Sequence, residues 1–92
     1  MTEITRAYSL HQIFSVEGWQ NAKELIAPED RVILLQDATY LLHQTLLCQS
    51  EQIYGRSLDC LARAITPSVG IEIIDDEQWL ELAEHANNIL SW

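Results

Sequence analysis

Cys48 and Cys60 are the residues of this sequence with the strongest intrinsic nucleophilic chemistry. A thiol attacks as its thiolate, so a reactive cysteine needs solvent access and a positive setting. Cys60 falls in the first turn of a predicted helix, with Arg56 four residues before it and Arg63 three after. Those charges and the helix dipole favour the thiolate. The adjacent Asp59 opposes it, and the position flanks an apolar stripe, which favours a small core residue. Cys48 closes the apolar run Leu41-Leu42 through Leu46-Leu47 and is read mainly as inert. Both remain weak candidates for thiol chemistry.

Other reaction signatures are missing. Gly18, Gly55 and Gly70 are isolated, so there is no glycine-rich phosphate loop. His11, His43 and His85 have no partners at zinc spacing, and eleven residues separate the cysteines, so no CxxC exists. No serine sits in a nucleophile elbow. Asp75-Asp76 is read as a helix cap, not as a catalytic pair. No cofactor or metal is called for.

The elements that must hold these residues alternate strand and helix. Residues 2–9 are the weakest strand expectation. Ser15 can cap a helix with the stripe Val16, Trp19, Ala22 and Ile26, broken at Pro28. Arg31-Val32-Ile33-Leu34-Leu35 is the clearest central strand. Asp37 is expected to cap a helix running to about Cys48. It also stands at the carboxyl end of a strand, where open α/β sheets place ligands. A short strand at 52–54 precedes a helix capped by Ser57, with the stripe Leu58, Leu61, Ala62 and Ile65. The last strand, Ile71-Glu72-Ile73-Ile74, feeds a helix with a capping box from Asp75 and Gln78. Its stripe is Trp79, Leu82, Ala83, Ala86 and Leu90, with His85 and Trp92 one helical face apart and the end of the chain docked at Trp92. This order predicts a single small three-layer α/β domain over 1–92. Its sheet is mostly parallel, of about four strands, with helices on both faces.

Composition narrows the function classes. Fourteen acidic residues face five basic ones, a formal charge of −9, and Arg63 is the last basic residue. Nucleic-acid binding relies on Lys and Arg to neutralise phosphates, so direct binding is not expected. The acid excess reads as a solvated face or as a docking surface for a basic partner protein. No window is apolar for the roughly twenty residues of a membrane span, and the first residues do not read as a signal peptide. A cytoplasmic location with reduced cysteines is expected.

Three segments together resemble the TusB/DsrH family of sulfur-relay subunits. One is Val32-Ile33-Leu34-Leu35-Gln36-Asp37-Ala38-Thr39-Tyr40, similar to an apolar strand followed by Glu/Gln-Asp-Gly-x-Tyr. Another is Ile53-Tyr54 with Asp59-Cys60-Leu61-Ala62-Arg63-Ala64, similar to a Val-Tyr strand end and an Asp-x-x-Ala-Arg-Gly helix. The third is Ile74-Asp75, Trp79, Leu82, His85 and Trp92, with the histidine seven residues before the tryptophan. Ala38 and Ala64 stand where the family has glycine, and alanine is tolerated there only if neither position needs positive φ. The helix-one cysteine of some sulfur-oxidising members has no counterpart between Val16 and Leu25.

The resemblance implies a subunit of a heterohexamer of three homologous proteins. That complex passes persulfide sulfur toward 2-thiouridine at the tRNA wobble position, or serves dissimilatory sulfur oxidation. The principal sulfur-carrying cysteine belongs to another subunit. Partners would be TusC/TusD-like or DsrE/DsrF-like subunits and a sulfur-carrier protein. Asp37, Tyr40, Arg63, His85 and Trp92 are the family-motif or interface candidates. Two rivals stay open: a persulfide carrier using Cys48 or Cys60, and an unrelated homo-oligomeric α/β module.

Overall fold

Alternation along the central strand builds both faces of the sheet. Val32 and Leu34 point into one apolar cluster, and Ile33 and Leu35 into another. All four are essentially inaccessible to solvent, as expected of a parallel strand covered on both sides. The computed structural model describes residues 8–44, 46 and 48–92. They form β1 (Ser9–Ile13), α1 (Val16–Ala22), β2 (Arg31–Leu34), a 3-10 helix (Gln36–His43), β3 (Gln52–Arg56), α2 (Ser57–Ala62), β4 (Glu72–Ile74), α3 (Asp76–His85) and β5 (Asn88–Ser91).

The strand order is β4-β3-β2-β1-β5, and every pairing is parallel. From β1 to β4 the chain steps in one direction across the sheet. Right-handed crossovers therefore keep α1, the 3-10 helix and α2 on one face. Their cluster includes Ile13, Trp19, Ala22, Leu34, Leu42 and Cys60. The return from β4 to β5 runs the opposite way, and the same handedness puts α3 on the other face. Trp79, Leu82, Ala83 and Ala86 pack there over Tyr8, Leu10, Ile33 and Ile74. The α/β class with helices on both faces holds. The strand count rises from about four to five.

The fifth strand corrects the reading of the tail. The capping box forms as expected: the Gln78 amide donates to Asp75 Oδ1 at 2.8 Å, and the Asp75 amide to Gln78 Oε1 at 3.0 Å. The helix stops at His85, however, and Leu90 leaves its stripe for β5. Asn87 and Asn88 favour turns over helix interior, and a short apolar run such as Ile89-Leu90 fits either period. The open edge of β1 takes the segment as a strand. Trp92 and His85 consequently do not share a helix.

Three other expectations change. The first strand lies at Ser9–Ile13, while residues 2–7 fall outside the described part. The segment after β2 is a 3-10 helix ending at His43, and Asp37 sits in its first turn without capping it. Gln36 has φ 48°, which turns the chain sharply out of β2. At the far end the Leu42 carbonyl accepts from both the amide and hydroxyl of Ser68, a partner outside the helix. Residues 45 and 47 lie outside the described part, so the reach to Cys48 is not traced through them. α2 has six residues, Ser57 is its first residue and not its cap, and the part of the predicted stripe within it is reversed, while Ile65 beyond it packs against the core. Leu58 and Leu61 are 58% and 77% exposed, while Asp59 and Cys60 are buried. Two arginines draw Asp59 inward, and that fixes which side of so short a helix faces the sheet.

Candidate functional site at the carboxyl end of the sheet

The left-handed Gln36 delivers Asp37 to the surface just beyond β2. Thr39 Oγ1 donates to the Gln36 carbonyl at 2.6 Å and steadies that turn. Asp37 Oδ1 accepts from Arg63 Nη2 at 3.0 Å and Nε at 3.1 Å. Arg63 lies at the end of α2, with its guanidinium 5.9 Å from the centre of the Tyr40 ring. Its Nη1 also donates to the Asp59 carboxylate at 3.4 Å. The other Asp59 oxygen accepts from Arg56 Nη1 at 3.3 Å. Arg56 grips Asp76 with a two-pronged pair, Nε to Oδ1 at 2.7 Å and Nη2 to Oδ2 at 2.8 Å, the geometry of a strong charge-assisted bond. It also lies 5.4 Å from the Trp79 ring centre.

A ladder of five charges, Asp37–Arg63–Asp59–Arg56–Asp76, thus ties the 3-10 helix, α2 and α3 together. It stands at the carboxyl ends of β2, β3 and β4, the usual ligand side of an open α/β sheet. The hydrogen bonds from Arg56 hold Asp76 below the usual carboxylate range against an opposing effect of burial, and the same pair raises Arg56. Tyr40, Leu58 and Leu61 add exposed apolar surface on the 3-10 helix and α2. The ladder can present fixed charge and shape. It contains no nucleophile.

The thiols do not supply one. Cys60 is 5% exposed and packed in the core with Leu42 and Ile53. Burial pushes its thiol up, Asp59 adds to that, and Arg63 only partly offsets them. Burial and Asp59 outweigh the helix dipole and Arg63 at Cys60. Cys48 is half-buried and donates to the Ser50 carbonyl at 3.4 Å. Burial raises it too, and that hydrogen bond offsets only part of the rise.

Of the five motif residues, Asp37, Tyr40 and Arg63 come together. His85 does not join them. It is exposed at the end of α3 with Nδ1 2.8 Å from the Glu81 carbonyl, beside a groove of about 520 Å³ that includes Tyr8, Arg31 and Tyr54. Trp92 lies at the other side of the sheet, beyond β5. Its Nε1 donates to His11 Nδ1 at 3.1 Å, and the rings are near-parallel at 19°. Indole nitrogen only donates. His11 Nδ1 therefore accepts, and Nε2 carries the proton toward Asp30 Oδ2 at 2.9 Å. Asp30 also accepts from the Ala27 and Ser9 amides. Burial would raise its pKa, but these bonds together hold it below the usual range.

Sequence reasoning missed His11 and Asp30. His11 fell beyond the strand expected at 2–9, and Asp30 read only as part of a helix break. The alternation Leu10, Gln12 against His11, Ile13 was the available signal: it places a histidine on a buried face. Among the described residues no group of three or more His, Cys, Asp or Glu side chains is gathered as for a metal ion. No helix among them is long and apolar enough to cross a membrane.

Two comparisons bear on this arrangement. No curated protein matches the chain. The family model described as DsrH like protein matches residues 14–89. That span runs from the end of β1 into β5 and contains the whole charged ladder, with Asp37, Tyr40, Arg63 and His85, while Trp92 lies just past it. With well over half of its length matched, the chain belongs to the DsrH-like family.

Proposed function

We propose that this member of a sulfur-relay family is a non-catalytic subunit that docks its partners and leaves persulfide chemistry to them. The observation that carries this reading is the state of the thiols: Cys60 is in the core, Cys48 is half-buried, and burial raises both. A persulfide carrier needs an accessible thiolate at neutral pH. The ladder at the carboxyl end, with Tyr40, Leu58 and Leu61 beside it, suits recognition by other chains. Larger homologous subunits of the TusC/TusD or DsrE/DsrF kind and a sulfur-carrier protein are the partners. The complex works in the cytoplasm.

Incubation with a cysteine desulfurase and cysteine, followed by intact-mass measurement, tests this. No adduct of about 32 Da, the mass of one added sulfur atom, is expected on the chain. Such an adduct, abolished by Cys48→Ser or Cys60→Ser, would overturn the non-catalytic role.

The sulfur passes toward 2-thiolation of the tRNA wobble uridine. The absence of cysteine between Val16 and Leu25 supports this branch over dissimilatory sulfur oxidation. Nucleoside analysis of tRNA from a strain lacking the gene should show loss of 2-thiouridine. An unchanged level would move the chain to the oxidative branch.

A further inference from the structure

The two edges of the sheet are finished differently. β4 has three residues, opens on Glu72 and runs straight into Asp75 and Asp76. Charge and shortness are ordinary defences of an unpaired edge. β5 has neither charge nor proline, and none occurs from Ala86 to Trp92. Its neighbours Ile89 and Leu90 point to opposite faces and are 49% and 38% exposed. Backbone hydrogen bonds to the β1 segment continue past both ends of the strand, with the Asn87 amide on the Tyr8 carbonyl at 2.7 Å and the Trp92 amide on the Gln12 carbonyl at 2.9 Å.

Every residue of β5 is exposed, yet the strand is clamped. Gln12 donates to Ser91 Oγ at 3.2 Å, and Asn88 reaches Ser9 Oγ at 3.5 Å. Trp92 is fixed on His11. Polar clamps thus hold an apolar strand in place without covering it, which lowers the ordering cost of any strand added to it. Beside it, on the face that carries His11 and Leu90, lies a groove of about 500 Å³ bordered by the apolar side chains of Leu25, Leu90 and Trp92.

We propose that the edge of β5, which pairs with no further strand among the described residues, is a docking strand, completed by an extended segment of a different protein whose apolar side chain enters this groove and whose flanks carry Lys or Arg. Addition of a strand to a sheet edge takes affinity from main-chain hydrogen bonds and specificity from side-chain pockets. Charge selects the occupant. Glu24 and Glu29 are exposed and adjoin the lining residues Leu25 and Asp30 in sequence. A second copy would bring another −9 and oppose the same acids to themselves. A basic-flanked partner complements them.

The choice of probe rests on the docking role proposed above. The chain is co-expressed with its two larger homologous subunits, and amide exchange of 88–91 is compared free and assembled. Protection of those amides on assembly is expected. Leu90→Lys, on the groove face, should weaken association at least about tenfold, while Glu72→Lys on the opposite edge leaves it unchanged. Assembly with 88–91 exchanging as before overturns the edge proposal and leaves the docking role standing. No assembly at all overturns both. Protection in the isolated chain that grows with its concentration identifies a second copy as the occupant and overturns the heterologous partner. The exchange measurement on the unaltered chain decides even if the lysine variant misfolds.

Discussion

Two polar clusters organise this molecule, and solvent divides them: the ladder is buried only at its centre, Asp59, and open at its ends, while the clamp is buried at both residues. In the ladder, Asp37 keeps 70% of its side chain exposed opposite Arg63 at 22%. In the clamp, His11 and Asp30 are only 3% and 11% exposed as side chains. Surface ion pairs contribute about 0–1 kcal/mol each because water and salt screen them. Removing the donor of a buried hydrogen bond to a carboxylate leaves that charged acceptor short of a partner, at a cost of about 1–3 kcal/mol or more. The ladder is therefore suited to presenting charge to other molecules. The clamp is suited to fixing geometry, in this case the position of β5 and Trp92.

His11→Ala is the largest test of that contrast. It leaves the Asp30 carboxylate without its imidazole and the Trp92 indole without an acceptor. The expected loss is about 3 kcal/mol in equilibrium urea unfolding, with faster amide exchange across β5. A loss below about 1 kcal/mol would place the clamp in the same class as the ladder.

Acid titration separates the clusters next. The pKa values of Asp30 and Asp76 are both lowered in the fold. Each therefore contributes stability that is complete above the unfolded carboxylate value of about 4 and is lost as pH falls through the folded value. Asp30→Asn should flatten the acid limb of the stability curve. Added salt should weaken the part from the exposed Asp76 and leave most of the part from Asp30. Equal sensitivity of both to salt would contradict the difference in burial.

A smaller effect concerns the joint that aims Arg63. Ala64 follows α2 at φ 52°, in the left-handed region. The Ile65 amide reaches the Cys60 carbonyl at 2.9 Å, and the Ala64 amide the Leu61 carbonyl at 3.3 Å. This is the helix-ending motif in which glycine is favoured, and the family has glycine there. Ala38 has no such φ. Ala64→Gly should stabilise the protein by about 0.5–1 kcal/mol in thermal or urea unfolding. Destabilisation would mean that the left-handed backbone carries no strain.

The same residues show what sequence reasoning can reach. The β2 run, the Ser15 cap and the Asp75–Gln78 capping box are local signals, and they mark the strand and helix starts correctly. Asp37, Tyr40, Arg63, His85 and Trp92 were candidates from three separate motif segments, and the fold brings only the first three together. The clamp could not be read this way, because His11, Asp30 and Trp92 are joined only when β5 crosses the whole sheet to pair with β1. The inward turn of Asp59 was equally hidden. Helical periodicity favours Leu58 and Leu61 as core, and it takes the pull of Arg56 and Arg63 to reverse a helix of six residues.

Asp37→Ala should have the smallest effect on folding, and for that reason it tests function most cleanly. Arg63 would lose the two hydrogen bonds it donates to one exposed Asp37 oxygen but keep Asp59 and the Tyr40 ring. Pairing in water returns little, so the expected stability loss is about 0.5 kcal/mol or less. The guanidinium would still be anchored on its buried side, but its outward side would present positive charge where the carboxylate had neutralised it. If the ladder is a recognition surface, association with the larger homologous subunits should change by more than the folding measurement does. A variant that lost both together, in proportion, would make Asp37 a structural residue and erase the distinction between the ladder and the clamp.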